Sequence, residues 1–287
     1  VLWTSVLPMQ LLLDATGFEG RTRTLDALME GARIALAHTD RGTPVTAVRD
    51  GDGWRLRGRK SLVLGGDGAS RILVSARQEG GGLVLFDCPA AQPGVSLQRY
   101  RLHDGRGAAD LLLEDVHLPA AARVAGPERA SAIIDEALAF VTIGLCAESV
   151  GAMRKALALT VEYMRTRKQF GRSLADYQAL QHRVVEHFRQ WVHARVLVRE
   201  AASGWLSTSP VERAKRISAA KWMAGRAGRA IALDALQLHG AVGLQDETAI
   251  SHYARRLAAN DALLGDMTFH LGRLAALDDA PSPGSAA

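Results

Sequence analysis

The chain has 287 residues, 48% hydrophobic and 23% charged, a balance typical of globular proteins long enough to form two domains. Aromatic residues make up only 5%, and the apolar residues are mostly Ala, Leu and Val, which favours helices over a β-rich sandwich. The net charge is +5 without blocks of like charge, which excludes the strongly basic class of nucleic-acid-binding proteins and suits a protein that receives anionic phosphates.

Cysteine usage and hydropathy narrow the class further. Cys88 and Cys146 lie far apart with no CxxC spacing, which excludes a disulfide scaffold and a Cys-based zinc site. This usage is typical of a reducing cytoplasm, where we expect the protein. No apolar run reaches the roughly 18 residues that a membrane-spanning helix needs, so we expect no membrane contact. Residues 1–13 lack the features of a signal peptide, and because the chain starts without Met we expect further residues upstream of Val1.

Residues 1–34 are predicted to be the end of a helical domain. Apolar residues recur at helical spacing over Val6–Leu13 and again over Leu25–Met29. Because thirty-odd residues cannot form a core of their own, we expect these helices to pack on neighbouring elements.

Residues 35–125 change character and are predicted to form a small antiparallel β-domain. Short apolar runs alternate with turn sequences rich in Asp and Gly, which is typical of β-hairpins. The turns are Asp50–Gly53, which is the clearest, then Gly65–Gly68, Gly80–Gly82 and Asp104–Gly105.

Residues 126–277 are predicted to form a four-helix bundle, which makes the overall fold class α+β. The first helix keeps a mostly apolar stripe from Ile134 to Met164 without a proline, which indicates an interface with another subunit. The other three helices are predicted over Leu174–Trp205, Val211–His239 and Glu247–Leu277. Residues 278–287 are rich in Pro, Ser and Gly and are predicted to be a disordered tail.

A cluster of cations lies where the first two bundle helices meet. The segment Tyr163–Leu174 has a tight corner at Phe170-Gly171, and four basic residues surround it: Arg165, Arg167, Lys168 and Arg172. They would stabilise the end of a helix dipole or bind a diphosphate, and the residues alone leave both readings open.

A second segment, Gln237–Gly243, ends the third helix in a glycine turn. Gly240 and Gly243 permit close approach of the backbone to a ligand. Taken alone, the segment is equally typical of an ordinary helix C-cap.

Together the two segments resemble motifs of the acyl-CoA dehydrogenase family. The first is similar to its Tyr-x-x-x-Arg-x-x-Phe-Gly element, and the second to its Gln-x-x-Gly-Gly-x-Gly turn, with Ala241 at the second Gly. In the β-domain, three further segments look like family elements: Ala37–Asp40, Gly58–Gly65 and Asp115–Pro119. The resemblance covers residues 5–277. It is strongest to bacterial small subunits similar to those of pimeloyl-CoA dehydrogenase, which share Tyr100-x-x-x-Asp104-Gly105 and Leu264-Gly265-Asp266.

This resemblance implies a flavoenzyme with FAD bound between subunits. It implies that Arg167 and Phe170 hold the FAD diphosphate and adenine of a neighbouring subunit, that Gln237, Gly240 and Ala241 meet the same ADP half, and that Thr39, Leu62 and Leu64 face the isoalloxazine. The implied reaction converts an acyl-CoA thioester to a trans-2-enoyl-CoA and passes electrons to an electron-transferring flavoprotein. The implied assembly is a homodimer, a homotetramer or a heteromer with a related chain.

The departures from the family pattern concern the catalytic base. The two positions at which family members carry a Glu base are Leu264 and Val141 here, and neither side chain accepts a proton. Asp266 is the nearest alternative carboxylate and Asp261 a second one. Leu62 also replaces the aromatic residue that is usual on the Gly-x-Lys strand.

Three functions remain open from the sequence. The first is an active dehydrogenase that uses Asp266 as its base. The second is a non-catalytic FAD-binding subunit of a heteromer. The third is a flavin monooxygenase or nitroalkane oxidase on the same fold. The sequence predicts no metal site, and it leaves open whether the acyl group is a steroid, a dicarboxylic or a simple fatty acyl chain.

Overall fold

The computed structural model describes residues 1–40 and 42–279. The chain divides into two compact units, Val1–Val141 and Thr142 onward, and each is described by itself. The domain limits predicted at residues 34, 125 and 277 remain predictions.

The first unit contains two short helices and eight strands. The helices are α1 (Leu7–Asp14), which continues a π-helical turn at Leu2–Val6, and α2 (Arg21–Met29). The strands are β1 (Ile34–Ala37), β2 (Thr46–Asp50), β3 (Gly53–Leu64), β4 (Arg71–Gln78), β5 (Leu83–Pro89), β6 (Val95–Arg101), β7 (Gly107–Pro119) and β8 (Arg123–Ala125).

The strands form one sheet in the order β6-β7-β3-β2-β4-β5-β8, with β1 also paired to β4. Most neighbours are antiparallel, as predicted, but β1 and β2 both pair with β4 in parallel, so the sheet is mixed. The predicted turn at Asp50–Gly53 is confirmed: Asp50 pairs with Gly53, and Gly51 has a φ of +60°. The apolar runs at Trp54–Leu56 and Leu62–Leu64, read separately from the sequence, belong to the single long strand β3.

Alternating apolar residues give the sheet its core. Trp54 in β3 and Phe86 in β5 are almost wholly buried, and their rings meet edge to face with centroids 5.3 Å apart. The guanidinium of Arg49 lies 4.1 Å from the centre of the Trp54 ring. Large aromatic pairs of this kind dominate the stability of a small core.

The second unit begins inside α3 (Ala130–Thr166), whose residues up to Val141 belong to the first unit. It also contains α4 (Gln178–Ser203), α5 (Pro210–His239), α6 (Ala249–Ala262) and α7 (Met267–Asp278). Helix α5 is central, since it packs against α4, α6 and α7. It begins one residue before the predicted start: Ser209 accepts a hydrogen bond from the Glu212 backbone N–H at 3.2 Å, and Pro210 occupies the first turn.

The predicted fourth bundle helix is interrupted. Instead of one helix over Glu247–Leu277, the chain forms α6 and α7, separated by a corner at Leu263–Asp266. Leu264 and Gly265 both have positive φ, at +59° and +90°, which a helix does not tolerate. The predicted disordered tail begins at Asp278, the last residue of α7, and from Ala280 onward it lies outside the described residues.

The sequence predicts no helix that could span a membrane, but α3 meets the length and composition criteria for one. Among the described residues it is the one helix long and apolar enough to cross a bilayer by length and composition. Half of its most apolar window is buried within the protein, as in a core helix of a globular domain. A carboxylate also lies on this helix, Glu148, which accepts a hydrogen bond from Arg256 at 2.7 Å.

A glycine on β3 tests the sheet geometry. Gly58 has a φ of +137°, and a Cβ there would lie 2.8 Å from the Val45 Cα, which is backbone and cannot turn aside. We expect Gly58→Ala to lower the free energy of unfolding by more than about 1 kcal/mol in chemical denaturation. The control is Gly272→Ala, in open space on α7, which should be neutral or stabilising by up to about 1 kcal/mol. Equal stability of the two variants would contradict the described β3 backbone.

Candidate functional site

A two-residue hairpin follows α3. The strands β9 (Lys168–Gln169) and β10 (Arg172–Ser173) are antiparallel and are joined by Phe170 and Gly171. Both joining residues are left-handed, with φ of +52° and +82°, as a type I′ turn requires. The corner predicted here is therefore a hairpin that holds the Phe170 ring out, 93% exposed.

Arg167 precedes this hairpin and has a fixed backbone. Its N–H donates to the Tyr163 carbonyl at 2.8 Å, and its carbonyl accepts from the Leu174 N–H at 2.9 Å. Its exposed guanidinium forms no hydrogen bond or ion pair with any described residue, whereas that of Arg172 stacks on Tyr177 at 3.9 Å. Of these two arginines, Arg167 is the one placed to bind an anion with its planar donor fork.

The two sequence motifs of this unit meet through an aromatic pair. The rings of Tyr163 and His239 stack with centroids 4.4 Å apart, and the Tyr163 hydroxyl donates to the His239 carbonyl at 3.3 Å. Directly after His239, Gly240 caps α5 with a φ of +63°, and nothing lies within 4 Å of the place where its Cβ would stand. Gln237, Gly240 and Ala241 are all exposed, so this turn offers open backbone beside the hairpin motif.

The lysine of the Gly-x-Lys strand, Lys60, is buried and precedes the candidate residues Leu62 and Leu64 on β3. Lys60 is 1% exposed, and its Nζ lies 2.6 Å from the Asp40 carboxylate and 3.1 Å from both the His38 carbonyl and the Ser75 hydroxyl. Burial lowers the pKa of Lys60, and the bond to Asp40 opposes that shift.

This lysine fixes the segment that carries Thr39 against β3. The Ser61 N–H donates to the Thr39 carbonyl at 3.0 Å, so Thr39 lies beside the strand that carries Leu62 and Leu64. Thr39 and Leu62 are exposed and Leu64 is half-buried. The Ser61 hydroxyl is buried without a hydrogen-bond partner among the described residues.

The two positions of the family's base are apolar and differ in setting. Val141 is fully buried in α3, next to the buried Thr142. Leu264 is half-buried at the corner between α6 and α7, and its left-handed backbone costs about 1–2 kcal/mol. Neither side chain moves a proton.

The neighbouring carboxylates hold the backbone of the same corner. An Asp266 oxygen accepts from the Phe269 N–H at 2.8 Å and caps α7, and an Asp261 oxygen accepts from the Met267 N–H at 3.2 Å. Asp266 itself is exposed. Asp266 thus serves as a helix N-cap, a role for which Asp is preferred, and its carboxylate is engaged.

A second buried lysine holds this corner from inside the bundle. Lys221 is 1% exposed, and its Nζ donates to the carbonyls of Asp261 at 2.8 Å and Gly265 at 2.7 Å. It forms no ion pair with any described residue, and burial lowers its pKa. The sequence did not predict this contact, because a lysine in a helix is ordinarily assigned to the exposed face.

The buried His270 completes the hold on the corner. Its Nε2 donates to the Leu264 carbonyl at 2.9 Å, and its Nδ1 lies 3.4 Å from the Ser218 hydroxyl. Burial lowers the pKa of His270, and the positive charges of Lys221 and Arg273 lower it further. The ring is therefore neutral, with its proton on Nε2.

Comparison with known proteins gives concordant matches. A family model described as "Acyl-CoA dehydrogenase, C-terminal domain" matches residues 131–276. The chain is 30% identical to acyl-CoA dehydrogenase IpdE2 of Mycolicibacterium smegmatis, over 90% of this chain and 68% of that protein. It is 29% identical to mitochondrial isobutyryl-CoA dehydrogenase of Bos taurus, over 77% of this chain and 54% of that protein, so it spans about half the length of that relative.

A solved structure agrees with these matches. The ChsE4-ChsE5 complex from Mycobacterium tuberculosis superposes with a TM-score of 0.86 and 25% identity. The superposition covers 98% of this chain and 76% of that one. The similarity therefore extends over both compact units.

The neutral His270 predicts a pH dependence of stability. The pKa of His270 in the folded protein lies below the ordinary value of about 6.5, which we take for the unfolded chain. The contribution of the neutral ring to the free energy of unfolding is therefore fully present above about pH 6.5, and it is lost as the pH falls from there through the folded-state pKa. We expect His270→Gln to flatten the fall in free energy of unfolding on acidification, measured by denaturant titration at several pH values. The exposed His182→Gln on α4 is the control, and an unchanged slope in His270→Gln would contradict a neutral buried ring.

Proposed function

The chain belongs to the acyl-CoA dehydrogenase family, and we propose that it is an FAD-binding subunit of a heteromeric enzyme that converts an acyl-CoA thioester to a trans-2-enoyl-CoA. In this proposal the chain completes the flavin site, and the base that removes the α-proton comes from a related partner chain. The observation that carries the proposal is the engagement of Asp266 and Asp261 with backbone N–H groups at the corner where the family's base lies.

The exposed groups of the second unit fit the ADP half of FAD. The unpaired Arg167 guanidinium suits a diphosphate, and the exposed Phe170 ring offers a face for an adenine. The open left-handed turn at Gly240 lets backbone approach the same group. Phe170 has so little contact with its own chain that a ligand or a second subunit is needed to bury it.

The exposed residues near the end of β3 fit the flavin ring. Leu62 and Leu64 supply an apolar wall, and Thr39 lies beside them. The buried, unpartnered Ser61 hydroxyl adjoins the same wall and retains a free polar atom. When bound, FAD supplies the acceptor for the substrate hydride.

This chain's own residues orient and enclose rather than move the proton. General-base catalysis contributes about 10²–10⁴-fold to such a step, and neither Leu264 nor Val141 provides it. The similarity to a structure of a ChsE4-ChsE5 complex supports a heteromer for this chain. Membership of the family supports an electron-transferring flavoprotein as the acceptor of the electrons. The two widely separated cysteines suit a reducing compartment such as the cytoplasm.

Removal of the Arg167 guanidinium tests the flavin site. Losing a charge-assisted bidentate contact to a diphosphate costs about 1.5–3 kcal/mol, so Arg167→Ala should bind FAD roughly 10- to 100-fold more weakly. The measurement is titration of the flavin-free protein with FAD, followed by flavin fluorescence. Arg165→Ala, at an exposed arginine two residues earlier, is the matched control. An Arg167→Ala protein that binds FAD like the wild type would refute the assignment.

Two substitutions at the α6–α7 corner test the missing base. The FAD-loaded chain alone should reduce its flavin with saturated acyl-CoA esters at a negligible rate, and Leu264→Glu should raise that rate by about 10²-fold or more. Asp266→Asn separates the alternative. Asn can still cap α7, so the fold survives.

The outcome of that pair decides between the two readings of the corner. High activity of the wild-type chain that disappears in Asp266→Asn would show that Asp266 is the base and that the chain is a complete dehydrogenase. Negligible wild-type activity that rises in Leu264→Glu is the result we expect.

A further inference from the structure

Strand β3 contains a β-bulge at its exposed residue Leu62. Lys60 pairs with Leu111 on β7 and Val63 pairs with Ala109, so two residues of β3, Ser61 and Leu62, lie opposite Asp110 alone. Leu62 has a φ of +54°, a left-handed conformation that leucine rarely adopts. A β-bulge at this place displaces the ladder and leaves the Leu62 N–H in need of another acceptor.

The Asp110 carboxylate provides that acceptor. Its Oδ1 accepts from the Leu62 N–H at 3.2 Å and from the Tyr100 hydroxyl at 2.9 Å. Its Oδ2 lies 3.5 Å from a guanidinium nitrogen of Arg59. The side chain of Asp110 is only 17% exposed, whereas Leu62 and the Arg59 side chain are exposed, so the carboxylate is the partly sheltered member of these contacts.

The other side of the bulge is fixed independently. The Ser61 N–H donates to the Thr39 carbonyl at 3.0 Å, and the buried Lys60 ammonium contacts the Asp40 carboxylate. The bulge is thus held between Asp110 on β7 and the Thr39 segment. Ser61 links the two residues assigned to the flavin ring, because it is hydrogen-bonded to Thr39 and precedes Leu62 in the chain.

We infer that Asp110 is a positioning residue for the flavin surface: its carboxylate holds Leu62 in the left-handed conformation in which this side chain is exposed on β3. The inference rests on the proposed FAD site for its functional consequence. Strained residues held by surrounding contacts are a recurrent feature of ligand sites, and here the holding contact is identified. Asp110 touches neither the flavin nor the substrate in this account and acts through Leu62.

The test compares three variants in two preparations. Asp110→Ala removes the acceptor, Asp110→Asn keeps an oxygen that can accept from the Leu62 N–H, and Tyr100→Phe removes only the other donor to that oxygen. In flavin-free protein the readout is amide hydrogen exchange of Leu62. In FAD-loaded protein the readouts are the position of the flavin absorption bands and the FAD dissociation constant.

We expect Asp110→Ala to speed exchange of the Leu62 amide about tenfold or more, to shift the flavin bands and to weaken FAD binding about fivefold or more. Asp110→Asn should restore slow exchange and the wild-type spectrum, and Tyr100→Phe should keep both.

A merely structural role would lower the melting temperature without this pattern. Unchanged exchange or an unchanged spectrum in Asp110→Ala overturns the inference. Wild-type protein that binds no FAD, either alone or together with a related partner chain, instead overturns the proposed function, while the exchange data still decide the link between Asp110 and Leu62.

A second comparison covers the case in which Asp110→Ala does not fold. Glycine adopts a φ of +54° without strain, so Leu62→Gly reduces the need for the carboxylate. The Leu62→Gly/Asp110→Ala double variant should therefore fold, with a melting temperature close to that of Leu62→Gly alone. A double variant that also fails to fold would overturn the inference.

Discussion

The path of the chain between α6 and α7 depends on one buried ammonium group. Lys221 is enclosed by the bundle, and a charge in such a place must be solvated by protein dipoles. The carbonyls of Asp261, near the end of α6, and of Gly265, between α6 and α7, do this. The helix stops between them, and the left-handed backbone of Leu264 and Gly265 lies at this break.

The chemistry available at the corner follows from the break between α6 and α7. New helix ends expose N–H groups, and the nearest carboxylates, Asp261 and Asp266, accept from them. The carbonyl of Leu264 is taken by the neutral His270. The corner therefore has a rigid backbone, an apolar side chain at the position of the family's base, and carboxylates engaged in capping. A subunit that shapes a flavin site without moving the proton is the function this arrangement suits.

Local turn chemistry made part of the fold predictable from sequence, and buried charge made part of it unpredictable. The hairpin at Asp50–Gly53 was predicted because a two-residue turn needs a left-handed residue, which Gly51 supplies. The break in the fourth helix was missed because apolar residues continue through it at helical spacing. Its signals were Gly265, a helix-ending residue, and Asp266, an N-cap. The candidate flavin residues and Lys60 lie in motifs, whereas Lys221 has no sequence pattern that distinguishes a buried lysine from an exposed one.

The central claim is that this chain completes the flavin site but does not remove the α-proton. Hydrogen–deuterium exchange at the α-carbon of saturated acyl-CoA esters measures that step directly, because a positioned base catalyses it. The FAD-loaded chain is incubated in D₂O with each thioester, and binding of the thioester is verified in the same sample. The account predicts exchange no faster than in the absence of protein. Rapid exchange by the wild-type chain alone, abolished by Asp266→Asn, would contradict it.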